Sequence, residues 1–168
     1  MKLFLGLALA GLCIVPTFAA DEGATPTKYQ QEFLKHWSTA KDLTTAVADA
    51  MPAGDYSFKP NPEEMSFGEQ IVHIANANYN YCSTRLTGGK SPFKKPETID
   101  KPTALKVLGE SFDYCTEAIQ GIKDLDGPGK PMSAREVMLG LYAHMAHHRG
   151  QAEVYLRVKG IKPPDYKF

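Results

Sequence analysis

Val137-Met-Leu-Gly-Leu-Tyr-Ala-His144-Met-Ala-His147-His148-Arg-Gly-Gln151-Ala-Glu-Val-Tyr155-Leu-Arg157 is the stretch on which the fold turns. At 100° per residue, Val137, Leu141, His144, His148, Gln151 and Tyr155 share one stripe, so the spacing predicts a single long helix. That stripe is mainly apolar and should face inward. His144 and His148 are four residues apart, which stacks their rings one turn apart on the same face, near enough to grip one ion. A buried imidazole without a partner is costly, so two of them there call for polar partners or a metal. His147 lies roughly 60–100° off the stripe and is the weaker ligand candidate.

Working outward, the helix has clear ends. Ser133 and Glu136 form a Ser-x-x-Glu capping box ahead of it, and Gly160 follows about Lys159, with Pro163-Pro164 beyond. Upstream, the loop from Asp124 to Met132 separates it from a helix running from Pro102 or Thr103 to Ile122. That helix carries Leu105, Leu108, Phe112, Cys115 and Ile119 on its inner side. A further helix opens at the Ser66/Glu69 capping box, buries Phe67, Ile71, Ile74, Asn78, Tyr81 and Cys82, and stops at Gly88-Gly89. The link 87–102 between these two is rich in Gly, Pro and Lys. It is long enough to cross the bundle, and loops of this length are often functional. The first helix runs from Thr27 to about Met51 through Tyr29, Phe33, Trp37, Ala40, Leu43, Thr44 and Val47. Pro52-Ala53-Gly54 ends it, and residues 52–65 read as an irregular connection packed on the bundle. No segment alternates like a strand. The sequence therefore predicts an all-α four-helix bundle with a long crossover between helices 2 and 3.

Residues 1–20 stand apart. Met1-Lys2, the apolar run Leu3–Val15 and the small residues closing at Ala19-Ala20 have the form of a cleaved secretory signal peptide. The run is short for a membrane span, and Leu12 before Cys13 does not suit lipoprotein processing. A periplasmic or extracellular protein is expected, with no stable membrane anchor after cleavage. Residues 21–26 read as an unstructured mature N-terminus. What remains, 21–168, is the size of a single domain. Nineteen Lys plus Arg balance nineteen Asp plus Glu, which gives no electrostatic case for nucleic acid. Cys82 and Cys115 are either a disulfide or two buried thiols.

Two histidines do not close a metal site. His36, beside Trp37, reads as a surface residue. His73 groups with Glu69, Asn76, Ala77 and Asn80 in a polar strip off the main apolar stripe of its helix. That strip is either solvated or the lining of a polar cavity, with Glu69 or an Asn behind the ligand.

Ser-Phe-Gly-Glu-Gln-Ile-Val-His-Ile-Ala at 66–75 and the segment 144–166, from His-Met-Ala-His-His-Arg-Gly-Gln to Gly-Ile-Lys-Pro-Pro-Asp-Tyr, resemble the DinB-like metalloprotein superfamily. The layout of the whole mature chain is similar to that family, although the specific motifs cover only these two segments. The resemblance implies a four-helix bundle with a three-histidine metal site, and the matching positions are His73, His144 and His148. Its family associations are stress or damage inducibility, thiol-dependent transferases and isomerases. A secreted location departs from the family's usual cytosolic setting. Three imidazoles with an open fourth position are the ligand set of a catalytic zinc site, and nickel, iron or manganese would also fit.

Competing chemistries fail on residues. A helical metalloprotease needs Glu directly after the first histidine, where Met145 stands. Di-iron bundles need Glu-x-x-His pairs, and Glu69 to His73 is one residue too long. There is no phosphate-binding Gly loop and no Gly-x-Ser-x-Gly elbow. What survives is a Lewis-acid centre for hydrolysis or thiol transfer on a small-molecule substrate, set against a non-catalytic metal-binding or stress-associated envelope protein. Glu69 or Gln151 are the expected orienters of the ligands. Tyr142 and Arg149 are expected as exterior or interhelical contacts, Arg149 in a salt bridge or cap. Exposed aromatics on a bundle are compatible with a homodimer.

Overall fold

The computed structural model describes residues 25–127 and 131–166, so the signal-peptide reading of 1–20 lies outside the described residues, as does most of 21–26. Four helices form the bundle: α1 Lys28–Ala50, α2 Phe67–Asn80, α3 Lys101–Gln120 and α4 Ala134–Val158. No strand occurs among the described residues. None of their helices is long and apolar enough to cross a membrane.

Local chemistry explains where the helices begin. The Ser66/Glu69 and Ser133/Glu136 boxes are both formed, each serine accepting from the backbone N–H of its glutamate while the glutamate accepts from the serine N–H. Thr27 and Gln30 make a third box, at α1. Gln30 also donates to the carbonyls of Ile119 (2.7 Å) and Ile122 (3.0 Å), so one buried amide caps the start of α1 and the end of α3. Asp100 caps α3 by accepting from the Thr103 N–H, with Pro102 in the first turn.

The directions of the helices follow from which residues meet. Gln30 against Ile119 and Lys101 against Asp49 make α1 and α3 antiparallel. Gln70 beside Gln151 and Tyr81 beside His144 make α2 and α4 antiparallel. Asn78 beside Ser111 and Cys82 beside Cys115 make α2 and α3 parallel. Parallel neighbours need a connection that returns along the bundle, and the link after Gly88 does this. Phe93 lies 6.0 Å from the Tyr79 ring, and Ile99 reaches Gly68 at the opposite end of α2. The crossover expected from length is thus present, and it runs over the polar strip of α2.

The core is built mainly from the predicted faces, with Met138 and Leu156 of α4 buried in addition to the expected stripe. Trp37, Val47, Ile71, Ile74, Leu108, Phe112, Ile119, Met138, Leu141 and Leu156 are all fully or almost fully buried, each such burial contributing about 1.5–3 kcal/mol. The Trp37 indole N–H donates to the Phe112 carbonyl at 3.3 Å, with the two rings 4.6 Å apart. The connection after α1 packs as expected: Tyr56 is buried and donates to the Ala48 carbonyl at 2.8 Å.

Two features go beyond the sequence reading. The helix expected to continue to Gly88 changes character at Tyr81–Thr87, which winds as a π-helix before Gly88 closes it with φ +76°. Ser83, Thr84 and Thr87 each donate their hydroxyl to the carbonyl four residues back, and this competition with the helical ladder suits the wider winding. The open choice for the cysteines is also decided: Cys82, on the π segment, and Cys115, on α3, form a disulfide with their Cα atoms 5.4 Å apart.

Candidate metal centre

His73 from α2 and His144 and His148 from α4 come together across the antiparallel α2/α4 interface. Their ring centroids lie 4.4–5.2 Å apart. One nitrogen from each lies within 4.8 Å of the others, a grouping that could hold a metal ion. A zinc–nitrogen bond is about 2.0–2.1 Å, so donors within 4.8 Å of one another are near the spacing that one ion requires. His147 is exposed and outside this group, although its ring is 4.9 Å from that of His148. His36 is half-buried, in a surface groove with Tyr29, Phe33, Leu139 and Tyr142.

The residue that orients His148 is Gln70, which the sequence reading passed over in favour of Glu69 and Gln151. Gln70 is 1% exposed. Its Nε2 donates to Gln151 Oε1 (3.1 Å) and towards the Tyr155 hydroxyl (3.4 Å), which itself donates to the Met65 carbonyl (2.9 Å). With the amide N–H group so used, Gln70 Oε1 is the acceptor, and the His148 Nδ1–H 2.9 Å away must be the donor. That sets the tautomer of His148 and leaves its Nε2 lone pair free for an ion. Gln151, an expected orienter, accepts from Gln70 and also acts on His148, whose pKa a hydrogen bond from the Gln151 side chain raises slightly against the other effects, while its Nε2 lies 3.2 Å from His147 Nε2. A signal for Gln70 does exist in the sequence. It sits three residues after Phe67 and four before Ile74, on the apolar stripe, where an amide must find partners.

Glu69 does not orient a histidine. Its carboxylate is taken by the Ser66 cap (2.6 Å to the backbone N) and pairs with Lys59 at 3.9 Å. The Ser66 hydrogen bonds, with smaller help from Lys59 and Lys95, hold it below the usual carboxylate range. Tyr81, from the π segment, lies 5.9 Å from the His144 ring, and the Arg85 guanidinium stands 4.4 Å over the Tyr81 ring. Gly140 permits that approach, since a Cβ there would stand 3.1 Å from Tyr81 Cε1. Arg149 is not exterior but buried at 7% exposure, and the salt bridge expected of it is formed within α4, to Glu153 one turn on at 3.6 Å. Tyr142 packs edge-on to Phe33 on the α1 side.

Electrostatics prepares the three rings for coordination. Burial lowers the pKa of His73. Burial, then the neighbouring His73, His147 and Arg85, lower that of His144. Burial, then His73, His144 and His147, push His148 down to about 4. All three are neutral near pH 7, so an ion need displace no proton to bind them. A half-buried donor set with the tautomer of one member set by a second residue fits a divalent metal.

The fold and site together define a four-helix bundle carrying a three-histidine cluster between α2 and α4. The chain belongs to the DinB superfamily, whose family model matches residues 36–152. It is 25% identical over 139 residues to the uncharacterized protein YjoA of Bacillus subtilis strain 168, covering 77% of this chain and 90% of that one. A DinB-like protein from Bacillus cereus ATCC 10987 has a similar structure, with TM-score 0.68 at 23% identity, over 82% of this chain and 97% of the other. The crystal structure of YjoA itself aligns with TM-score 0.64 at 24% identity, over 80% and 96%. A DinB-family structure from Exiguobacterium sibiricum 255-15 aligns with TM-score 0.64 at 20% identity, over 85% and 97%.

Proposed function

We propose that this chain is an exported divalent-metal protein in which His73, His144 and His148 hold the ion and leave a coordination position open to a small-molecule substrate. The observation that carries the reading is the clustering of three neutral imidazoles, with Gln70 dictating the tautomer of His148. When bound, the ion (zinc first, with nickel, iron or manganese as alternatives) supplies Lewis acidity for hydrolysis or for transfer involving a thiol. The chain's own part is to present three nitrogen lone pairs, to keep the His148 ring from turning through the Gln70–Gln151–Tyr155 network, and to shield one side of the site with Tyr81. No further His, Cys, Asp or Glu joins the triad among the described residues, and His73 also lines a cavity. Both observations favour an open, catalytic centre over a sealed, non-catalytic one. Export is supported by the Leu3–Val15 run before Ala19-Ala20 and by the Cys82–Cys115 disulfide, a bond suited to an oxidising compartment.

The test is metal analysis of the purified mature chain beside His73→Ala and His144→Ala. About one equivalent in the parent, lost in both variants, is expected. Absence of metal after reconstitution with zinc, nickel, iron and manganese would overturn the site. Cobalt substitution then reports on the open position: azide should alter the visible spectrum, and an unchanged spectrum would favour the non-catalytic reading.

A further inference from the structure

The crossover link forms more than a connection. Between it and α2 lies a cavity of about 210 Å³ whose wall includes His73 of the triad. Val72 and Met65 from the α2 side and Phe93 and Ile99 from the link make it largely apolar. Sites for drug-sized ligands run to roughly 300–1,000 Å³, so this volume suits a single ring or a short branched chain with one polar head.

The polar groups of the wall decide what that head is. Glu69, Asn76 and Lys95 line the cavity. The Glu69 carboxylate already accepts from the Ser66 backbone N–H and pairs with Lys59. The side-chain oxygen of Asn76 already accepts from the Asn80 amide at 3.0 Å, which leaves its N–H2 group to donate. Lys95 makes no ion pair among the described residues and offers three donors. Glu69 Oε1 and the His73 ring keep acceptor capacity, but Lys59 offsets the Glu69 charge, so Lys95 leaves the site one net positive charge and, with Asn76, supplies its free donors. A ligand head that only accepts complements it.

We propose that this cavity binds a small amphipathic anion, its apolar body against Val72, Phe93 and Ile99 and its carboxylate-like head at Lys95 and Asn76. The proposal deepens the metal reading, since His73 belongs to both the cavity and the triad, and it names the substrate class as a small acid with an apolar body. The walls themselves require no metal.

The experiment is an NMR titration of the full mature protein with phenylacetate, in zinc-loaded and chelator-stripped forms, with neutral phenylacetamide as control. Phenylacetate should shift the signals of Val72, Phe93 and Ile99 in both forms. Lys95→Gln, at an exposed position that leaves the core untouched, should weaken phenylacetate roughly three- to tenfold, as expected for a charge-assisted hydrogen bond at a wet rim, and leave phenylacetamide unchanged. Val72→Phe should fill the space and block both ligands. Unmoved cavity signals in both forms would overturn the proposal. So would equal binding of acid and amide with no effect of Lys95→Gln, or shifts confined to the histidines of the zinc form. Cavity shifts in a protein that takes up no metal at all would uphold this proposal while the metal reading fell.

Discussion

Replacing Gln70 by leucine tests whether the metal centre is prepared by the fold or assembled by the ion. The side chains are similar in size, so the core around Phe67 and Ile74 stays filled. What is lost is the acceptor 2.9 Å from His148 Nδ1 and the donor 3.1 Å from Gln151 Oε1. A buried polar group left unpaired costs about 1–3 kcal/mol. His148 is only half-buried, and its ring would also be free to exchange tautomers, so part of that penalty falls on the metal-binding state. At 1.4 kcal/mol per factor of ten, the expected loss of zinc affinity is roughly tenfold to a hundredfold, the range found for residues behind a metal ligand. Competition against a chromophoric chelator at neutral pH measures it. Gln70→Glu keeps the acceptor and adds a charge that favours His148 as a donor. It should restore affinity, and it should raise the pKa of His148 and with it the pH at which protons displace the ion. Parent-like zinc affinity in Gln70→Leu would refute the reasoning, and so would equal losses in the leucine and glutamate variants.

Three further outcomes are expected. The His148 pKa is about 4 in the folded chain against an ordinary value of 6.5, so between those pH values the unfolded chain binds a proton that the native protein does not. Stability of the metal-free protein should therefore be fully present above about pH 6.5, fall by about 2 kcal/mol as the pH drops to about 4, and level off below it; urea unfolding across that window measures this, and a flat profile would contradict it. The Cys82–Cys115 bond closes a loop at a sequence separation of 33, which in the chain-entropy model contributes about 4 kcal/mol. The Cys82→Ala/Cys115→Ala double variant should melt roughly 8–16 °C lower, and an unchanged melting temperature would show that the bond constrains little. Gly68→Ala should destabilise by about 1–3 kcal/mol although alanine is the better helix former. Its Cβ would stand 2.8 Å from Ile99 Cγ2 and 3.1 Å from the Tyr56 carbonyl, and a neutral result in thermal melts would mean the link yields easily.

How far the site was legible depended on whether its residues belong to one helix or two. His144 and His148 are four apart on a single helix, so rotation alone placed both on one face. His73 lies on another helix, in a polar strip that by itself fits solvent as well as a cavity, and it joined the pair through resemblance to the family's motifs. Gln70 was harder still. It stands on the apolar stripe, beside a glutamate already claimed by a capping box, and its partners on α4 are 78 to 85 residues away in the chain. Glu69 looked like an orienter because it is charged and near His73 in sequence, yet its cap contacts hold the carboxylate at the helix start.

The sequence by itself determined the four helices, the Ser66 and Ser133 caps, most of the inward faces and the length of the crossover, because period, capping and breaker signals act within a few residues. Tertiary structure alone decided that the link lies over the polar strip of α2 to form a cavity, and that Cys82 meets Cys115. It also decided the tautomer of His148. Each of these depends on which distant residues are pressed together when the apolar faces are buried, and burial is non-directional: it requires that the faces meet but does not state in the sequence which polar groups will meet beside them.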